Sequence, residues 1–330
     1  MSVPRAGALL IGFGGALAVV LVGWIGAHAI GLDVLRAGWA IPVCVAVHVL
    51  QLFLSAIAWR QVSGGGAPGL RSWFVIRWIR ESVNSLLPVA QLGGTLVGVR
   101  LLTLRGRSAG SAVAAATLDI TLESLTQLLF TLAGLAALAA IGGGGAWQPW
   151  LGGAVLLMGC ASCGFLVAQR AGLMRVIEAA MARLNRLVPA LPIGALRGLH
   201  AELMERQRHP GALAGAAALH LLAWMIGVAE TWLALAAMGQ GTGLLAALVI
   251  ESLGMAARSA GFAVPGSLGV QEGGFILAGG LVGLPPDAAV ALSMVKRARE
   301  LLVGIPGLLA WQWSEGRDLL RRAQVAPARS

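Results

Sequence analysis

The sequence predicts an all-α polytopic membrane protein, with about six full transmembrane helices and two re-entrant helical hairpins that enter the bilayer from opposite sides. Hydrophobic residues make up 58% and charged residues 12% of the 330 residues, and the mean hydropathy is +0.82. The apolar residues form stretches long enough to cross a bilayer. Most of the 24 Lys and Arg residues lie between these stretches, as they do in cytoplasmic loops of membrane proteins. A soluble domain does not have this composition.

The charge balance bears on the class of partner. The formal net charge is +10, which in a soluble protein favours nucleic acid binding. Here the basic residues separate apolar stretches, where they orient transmembrane helices and attract anionic lipid. We therefore predict membrane lipids as partners and no nucleic acid. Because the polar residues are too few for an additional soluble domain, residues 1–330 are interpreted as a single transmembrane domain.

Six apolar stretches have the length of a full crossing, about 20 residues. They are Ala6–Leu32, Ala37–Trp59, Ser111–Ile141, Trp150–Gln169, Gly211–Met238 and Asp287–Trp313. The first stretch has an alternative interpretation as a signal peptide, because Arg5 precedes it and Ala27-His28-Ala29 resembles a cleavage site. Its apolar part is longer than a signal-peptide core of about 7–15 residues, which favours a transmembrane helix.

Segment 73–104 predicts the first hairpin. Pro88 and Gly93-Gly94 interrupt its apolar sequence, and both residue types disfavour a continuous helix. Arg71, Arg77 and Arg80 precede the break, and Arg100, Arg105 and Arg107 follow it, so both ends of the segment are expected in the cytoplasm. A segment that begins and ends on the same side enters the bilayer and returns.

Segment 244–284 predicts the second hairpin. It is interrupted between Ser259 and Gly269, in a stretch that contains Pro265 and Gly266, and no basic residue flanks its outer ends. Those ends are therefore expected outside. Hydrophobic segments broken by glycine and proline in both halves of a chain are typical of transporters built from inverted repeats. The first half is then residues 1–169 and the second half residues 210–313.

The remaining segments are assigned to the cytoplasm. Segment 170–209 has apolar residues at helical spacing opposite arginines, which predicts amphipathic helices on the anionic inner leaflet. A solvated linker is the alternative for this segment. The tail 314–330 is basic as well. Both termini are therefore predicted in the cytoplasm.

Ionisable residues also fall inside the apolar stretches. The sequence Lys296-Arg297-Ala298-Arg299-Glu300 lies near the middle of the last span, because neither arm beside it is long enough to cross alone. A charge at the centre of a membrane helix costs about 2.5–3.5 kcal/mol even on the lenient insertion scale. The other embedded ionisable residues are Asp119, Glu123, Glu230, Glu251, Arg258 and Glu272.

We interpret these residues as the lining of one polar chamber. Because arginine binds phosphate oxygens bidentately, the cations fit an amphiphile with an anionic headgroup. The predicted substrate-binding residues are Arg258, Lys296, Arg297, Arg299, Asn84, Pro88, Pro265 and Gly266. The carboxylates predicted to accept a coupling proton or to form ion pairs are Asp119, Glu123, Glu230, Glu251, Glu272 and Glu300. The alternative is that the charges only pair with each other, for example Arg299 with Glu123, and hold helices together.

Motifs for nucleotide binding and common hydrolytic chemistry are missing from the sequence. It has no P-loop, no nucleophile elbow and no H-E-x-x-H zinc motif. Cys160 and Cys163 form a C-x-x-C pair without the second Cys/His pair of a zinc site. We expect no enzyme activity, no cofactor and no metal.

Three motifs resemble one known family. Asn84-Ser-Leu-Leu-Pro88-Val-Ala-Gln-Leu-Gly93-Gly94 and Val264-Pro265-Gly266-Ser-Leu-Gly269-Val-Gln-Glu272 are similar to the flippase-like family that includes the transmembrane region of lysylphosphatidylglycerol synthases. The sequence Lys296-Arg-Ala-Arg-Glu300-Leu-Leu-Val-Gly-Ile-Pro-Gly resembles the branch of that family associated with hopanoid biosynthesis.

The resemblance implies a multi-pass protein of the bacterial inner membrane that moves or handles lipids, with lipid-biosynthesis enzymes as candidate partners. Many relatives have a glutamate where Gly94 stands here, so no carboxylate role is expected at that position. The sequence ends at Ser330 without the aminoacyl-transferase domain of the synthases. We therefore do not expect it to make lysyl-lipid.

The leading prediction is a lipid transporter or flippase that moves a polar-headed lipid, either a hopanoid derivative or a phospholipid, between leaflets. One alternative is a membrane enzyme that uses a lipid-linked donor, for which Asp33 and Asp287 are the candidate carboxylates near the outer surface. The other alternative is a non-catalytic scaffold for hopanoid biosynthesis.

Overall fold

A computed structural model describes residues 37–64, 66–87, 93–142, 199–262, 264 and 267–325, with isolated positions between 152 and 171; side chains are described to residue 315. Every regular element in these ranges is a helix. The predicted span Ala6–Leu32, most of the span Trp150–Gln169 and most of segment 170–209 lie outside the described residues, as do Pro88, Pro265 and Gly266.

Four helices form the first half of the described chain. They are α1 (Ala40–Val62), α2 (Leu70–Leu86), α3 (Gly93–Thr103) and α4 (Ala109–Ala140). A short helix, α5 (Leu199–Gln207), precedes the second half. The second half consists of α6 (Pro210–Ala237), α7 (Leu244–Ala260), α8 (Val270–Gly280) and α9 (Pro286–Val325).

The helices α1, α4 and α6 are each long and apolar enough to cross a membrane. Their bounds lie close to the predicted spans Ala37–Trp59, Ser111–Ile141 and Gly211–Met238. The protein is therefore an all-helical membrane protein. Helix α9 contains the predicted span Asp287–Trp313 but continues to Val325, so the first part of the predicted tail 314–330 is helical.

Each half contains a pair of short helices where the sequence predicts a hairpin. Helices α2 and α7 have 17 residues, and α3 and α8 have 11. At 1.5 Å per residue these lengths are about 26 Å and about 16 Å, shorter than a hydrocarbon core of about 30 Å. The two members of each pair pack against each other.

The arms of the first pair approach closely at Gly94. The Gly94 N–H donates a hydrogen bond of 2.8 Å to Oδ1 of Asn84, near the end of α2. A Cβ atom at Gly94 would lie 2.6 Å from that oxygen and would also clash with the backbone carbonyl of Arg80. Glycine therefore permits the close contact between α2 and α3.

This contact can be tested by adding one methyl group. We expect Gly94→Ala to lower the free energy of unfolding by about 1–3 kcal/mol, because a backbone atom must move to make room. Gly273→Ala is the matched control, since nothing lies within 4 Å of a Cβ there and alanine favours a helix by up to about 1 kcal/mol. Denaturation in detergent micelles, followed by circular dichroism, measures both. Equal stability of the two variants would contradict the close approach.

Packing contacts recur between the two halves. Helix α1 packs on α6, α2 packs on α9, and α7 packs on α4. Gly307 of α9 faces α2, where its Cβ would lie 2.8 Å from the Cβ of Ser82. Gly134 of α4 faces α7, where its Cβ would lie 2.8 Å from the Cβ of Ser252. Each long helix thus crosses the hairpin of the other half at a glycine opposite a serine.

Two apolar clusters lie on either side of a polar region. One cluster includes Trp59 of α1 and Ala216 of α6. The other includes Cys44 of α1 and Ala234 of α6. Between these positions α1 carries His48, and α6 carries His220 and Glu230. The polar region therefore falls near the middle of both helices.

Candidate functional site

A polar chamber fills the region between the two apolar clusters. Two cavities of about 110 and about 410 Å³ adjoin there. The residues that line both cavities are Arg77, Glu81, Glu123, Trp224, Met255 and Arg258. The smaller cavity is also lined by His48, Gln51, His220, Glu251 and Arg299, and the larger by Arg80, Asn84, Thr95, Gln127 and Ser259. We call this combined space the chamber.

The first ionic network joins α2 to α4. Arg77 lies 3.1 Å from Asp119 and 2.5 Å from Glu123. Arg80 lies 2.5 Å from Asp119 and 3.2 Å from Glu123. Nε2 of His220 in α6 is 3.1 Å from the other oxygen of Asp119. Two arginines and two carboxylates thus neutralise each other.

The second ionic network joins α9 to α6 and α7. Nη1 of Arg299 donates to both carboxylate oxygens of Glu230, at 2.7 and 2.8 Å. Lys296 lies 3.4 Å from Glu230 and 2.9 Å from Glu251. The hydroxyl of Thr231 also donates to Glu251, at 2.5 Å. These charges are less than a tenth exposed, so their pairing offsets a large desolvation cost.

The same network continues to the second hairpin. Arg258 of α7 pairs with Glu300 and donates a 2.6 Å hydrogen bond to Gln271. Arg297 lies 3.1 Å from Glu272 and 3.0 Å from Glu300. Glu272 also accepts a 2.6 Å hydrogen bond from the backbone N–H of Gly269, which caps α8. The cations predicted on α9 therefore hold the second hairpin in place.

Those predicted site residues that the structure describes lie in or next to the chamber; Pro88, Pro265 and Gly266 lie outside the described residues. Of the predicted substrate-binding residues, Asn84, Arg258 and Arg299 line the chamber, whereas Lys296 and Arg297 lie in the ionic network behind it. The six predicted carboxylates, Asp119, Glu123, Glu230, Glu251, Glu272 and Glu300, all form ion pairs.

The pair of Arg299 with Glu123, offered as an example from sequence, does not form. Arg299 pairs with Glu230 and Glu300, and the arginines of α2 bind Glu123. Glu123 lies on α4, whereas Glu230 lies on α6, where it faces the middle of α9. The sequence contained no signal that ranked these partners.

Sequence reasoning missed four residues of the chamber. Arg77 and Arg80 were assigned to the cytoplasmic flank of the first hairpin, yet they are only 4% and 5% exposed. Glu81 entered only through the sequence match of Arg80-Glu81-Ser82 with Glu251-Ser252, and Trp224 was not singled out. The available signal was spacing, because Arg77, Arg80 and Glu81 recur three and four residues apart on one face of α2.

Three residues that line the smaller cavity keep a donor group without a hydrogen-bond partner. These donors are Nε of Arg77, Nε of Arg299 and Nε1 of Trp224. Buried donors usually find acceptors, and an unmade bond costs about 1–3 kcal/mol. These N–H groups are themselves enclosed by protein atoms, so they add to the cost of folding this region and are not presented to the interior of the cavity.

The family of the chain follows from comparison with known proteins. Residues 9–307 match the family described as the lysylphosphatidylglycerol synthase TM region. The chain belongs to this family. The resemblance predicted from the hairpin motifs is confirmed, and membership indicates a membrane protein with a lipid-related function. A comparison with curated proteins finds no match, and a comparison with solved structures finds none.

In this member of the lysylphosphatidylglycerol synthase TM family, the chamber lies beside the middle of α1 and α6, two of the helices that are apolar enough to cross a membrane. Its arginines and carboxylates balance each other, which limits the cost of burying charge. Its accessible arginine, Arg258, favours an oxygen-rich anionic group. Among the described residues no cluster of three or more His, Cys, Asp or Glu side chains could hold a metal ion.

Proposed function

We propose that the protein is a lipid transporter that moves a polar-headed lipid between the leaflets of the bacterial inner membrane. The observation that carries this proposal is the chamber itself, a polar cavity lined by charged side chains in a chain with 58% hydrophobic residues. A lipid that changes leaflets needs a polar path for its headgroup while its tails stay in the bilayer. The chamber supplies such a path.

The architecture supports transport through an inverted repeat. In an inverted repeat, α1 to α4 of the first half correspond in order to α6, α7, α8 and α9 of the second half. The packing of α2 on α9 then corresponds to the packing of α7 on α4. The contacts of Gly307 with Ser82 and of Gly134 with Ser252 correspond in the same way. Transporters with broken helices bind substrate between such repeats. In this proposal the two hairpins are re-entrant from opposite sides, and both termini are cytoplasmic.

The chemistry of the chamber favours a phosphate-bearing headgroup. Arg258 is 12% exposed, so a headgroup can approach its guanidinium while Glu300 still holds it. We propose a phospholipid or a hopanoid derivative as the substrate, because both classes have a polar head on an apolar body.

The test is lipid movement in proteoliposomes that contain a trace of phosphatidylglycerol with a fluorescent headgroup or chain label, read by chemical quenching of the outer leaflet. We expect Arg258→Gln to slow movement by about 10- to 100-fold, because a charge-assisted hydrogen bond contributes about 1.5–3 kcal/mol. Arg208→Gln is the matched control, since that side chain is 77% exposed on the surface. Unchanged movement in Arg258→Gln would overturn the proposed site.

The same vesicles distinguish transport from enzyme activity and from a scaffold. Transport predicts that the labelled lipid is recovered chemically unchanged, because we propose no group-transfer step. A new lipid product on chromatography would instead favour an enzyme. Lipid movement equal to that of vesicles without protein would favour a scaffold.

A further inference from the structure

One carboxylate of the chamber is not part of either ionic network. Glu81 of α2 lines both cavities and is partly buried. In the described part of the chain, no hydrogen bond or ion pair reaches its carboxylate. It acts on Arg77 and His48 only through longer-range electrostatic interaction. Glu81 can therefore gain or lose a proton without breaking an ion pair.

The corresponding position in the second half is different. Glu81-Ser82 matches Glu251-Ser252 in sequence, and both serines face a glycine of the opposite long helix. Glu251 lies 2.9 Å from Lys296 and accepts a hydrogen bond from Thr231. The first half provides Glu81 with neither type of partner. The two halves thus place one paired and one unpaired carboxylate at equivalent positions.

The charge balance of the chamber depends on this residue. The two networks contain six cations and six carboxylates; these are Arg77, Arg80, Arg258, Lys296, Arg297 and Arg299, and Asp119, Glu123, Glu230, Glu251, Glu272 and Glu300. Apart from the neighbouring histidines, the charges of the two networks and Glu81 sum to zero when Glu81 is protonated. The sum is one negative charge when Glu81 is ionised.

Several titratable or charged groups line these cavities together with Glu81. Each helix that lines the cavities contributes at least one such group, except α3, which contributes the uncharged Thr95. The groups are His48 of α1, Arg77 and Arg80 of α2, Glu123 of α4, His220 of α6, Glu251 and Arg258 of α7, and Arg299 of α9. Each of these groups has a hydrogen-bond or ion-pair partner. The His48 ring donates to Gln51 at 2.9 Å, and the His220 ring faces Asp119 at 3.1 Å.

We propose that Glu81 is a proton-binding carboxylate, and that the chamber takes up one proton together with each lipid phosphate. This inference rests on the proposed transport function, and it makes the proton gradient the energy source of that transport. An ionised Glu81 and a phosphate repel each other in a site of low dielectric constant. Protonation removes the repulsion, so the phosphate enters when the proton does. The proton leaves Glu81 on the other side, after the headgroup has departed.

The coupling has a quantitative consequence. One proton accompanying one singly charged phospholipid makes the transported unit neutral, so membrane potential does not drive it. A gradient of one pH unit then shifts the equilibrium ratio of lipid between leaflets by up to about tenfold. Lipid accumulates in the leaflet facing the more alkaline side.

The experiment uses proteoliposomes of phosphatidylcholine with a trace of labelled phosphatidylglycerol and an imposed gradient of about one pH unit. For each protein we compare the leaflet ratio with the gradient to the ratio without it, and vesicles without protein give the background. We expect a shift approaching tenfold for the wild type and for Glu81→Asp, and no shift beyond background for Glu81→Gln. Glu205→Gln, an exposed site on α5, is expected to behave as the wild type.

Two results would overturn the proposal. One is a gradient response in Glu81→Gln equal to that of the wild type. The other is a wild type that responds to a sodium gradient and not to a proton gradient. If the wild type moves no lipid at all, the proposed transport function fails.

A second readout tests proton binding when no lipid moves. Infrared difference spectra of the purified protein between mildly acidic and mildly alkaline solution should contain one protonated-carboxyl band that is missing in Glu81→Gln. Exposed carboxylates contribute equally to both proteins and cancel in the comparison. Identical spectra would rule out Glu81 as the proton site.

Discussion

Replacing Glu230 with glutamine is expected to lower the free energy of unfolding by about 3–5 kcal/mol, the usual cost of breaking a buried ion pair from one side. Glu230 is 1% exposed, and both of its oxygens accept hydrogen bonds from Arg299. Without that carboxylate, Glu300, at 3.6 Å, is the one ion-pair partner left to Arg299 among the described residues. Its guanidinium then remains buried with most of its charge uncompensated.

A double variant distinguishes the loss of the Glu230–Arg299 ion pair from the cost of burying Arg299 without its counter-charge. We expect Glu230→Leu combined with Arg299→Met to recover most of the lost stability, because two apolar groups replace two buried charges. Glu205→Gln, at an exposed pair with Arg208, should change stability by less than about 1 kcal/mol. Titration with a denaturing detergent, followed by circular dichroism, measures all three. A double variant less stable than Glu230→Gln would contradict this account.

The sequence predicted three of the described long helices and the positions of the two pairs of short helices, because both depend on local signals. Apolar stretches of fixed length mark the spans α1, α4 and α6. Helix α2 ends at Leu86, two residues before Pro88, and α3 begins at Gly93, so the predicted breakers Gly93-Gly94 open a helix. Helix α7 ends at Ala260, in the predicted stretch between Ser259 and Gly269. Such features follow from helix propensity and membrane thickness, which depend on residues that are close together in the sequence.

The charge cluster of α9 was predictable for the same reason. The position of Lys296–Glu300 in the middle of an apolar stretch follows from counting residues on either side. The need for partners then follows from the cost of burying charge. The identity of the partners does not follow, because Glu230 lies 66 residues from Lys296 along the chain. Only the packing of α6 against α9 brings them together.

The arginines of α2 show where reasoning from flanking charge fails. Basic residues next to a membrane segment usually lie in the cytoplasm, and Arg77 and Arg80 were assigned there with the others. Both are buried because Asp119 of α4 lies 3.1 Å from Arg77 and 2.5 Å from Arg80. Arg100, in α3, is 52% exposed, as the rule expects. The difference is a tertiary contact that the local pattern does not encode.

Asp119→Asn is expected to destabilise the protein far more than Glu123→Gln, although both substitutions remove one carboxylate from the same arginines. Asp119 is fully buried and accepts from Arg77, Arg80 and His220. Its loss leaves an excess positive charge where water cannot screen it, with an expected cost of about 3–5 kcal/mol.

Glu123 occupies a different environment. Its side chain is 25% exposed and lines the chamber, so water can solvate the arginines when its charge is removed. We expect a cost of about 1–3 kcal/mol for Glu123→Gln. The difference in stability between the two variants therefore reports how far water reaches the Asp119 end and the Glu123 end of the first network. The same denaturation experiment measures this difference.

A compensating variant completes the test of Asp119. Arg80→Met with Asp119→Leu removes one charge of each sign and leaves Arg77 paired with Glu123, so most of the stability should return. Equal losses for Asp119→Asn and Glu123→Gln would mean that water reaches both carboxylates. The first network would then belong to the hydrated part of the chamber, and Arg77 and Arg80 would join Arg258 as groups that a lipid headgroup can reach.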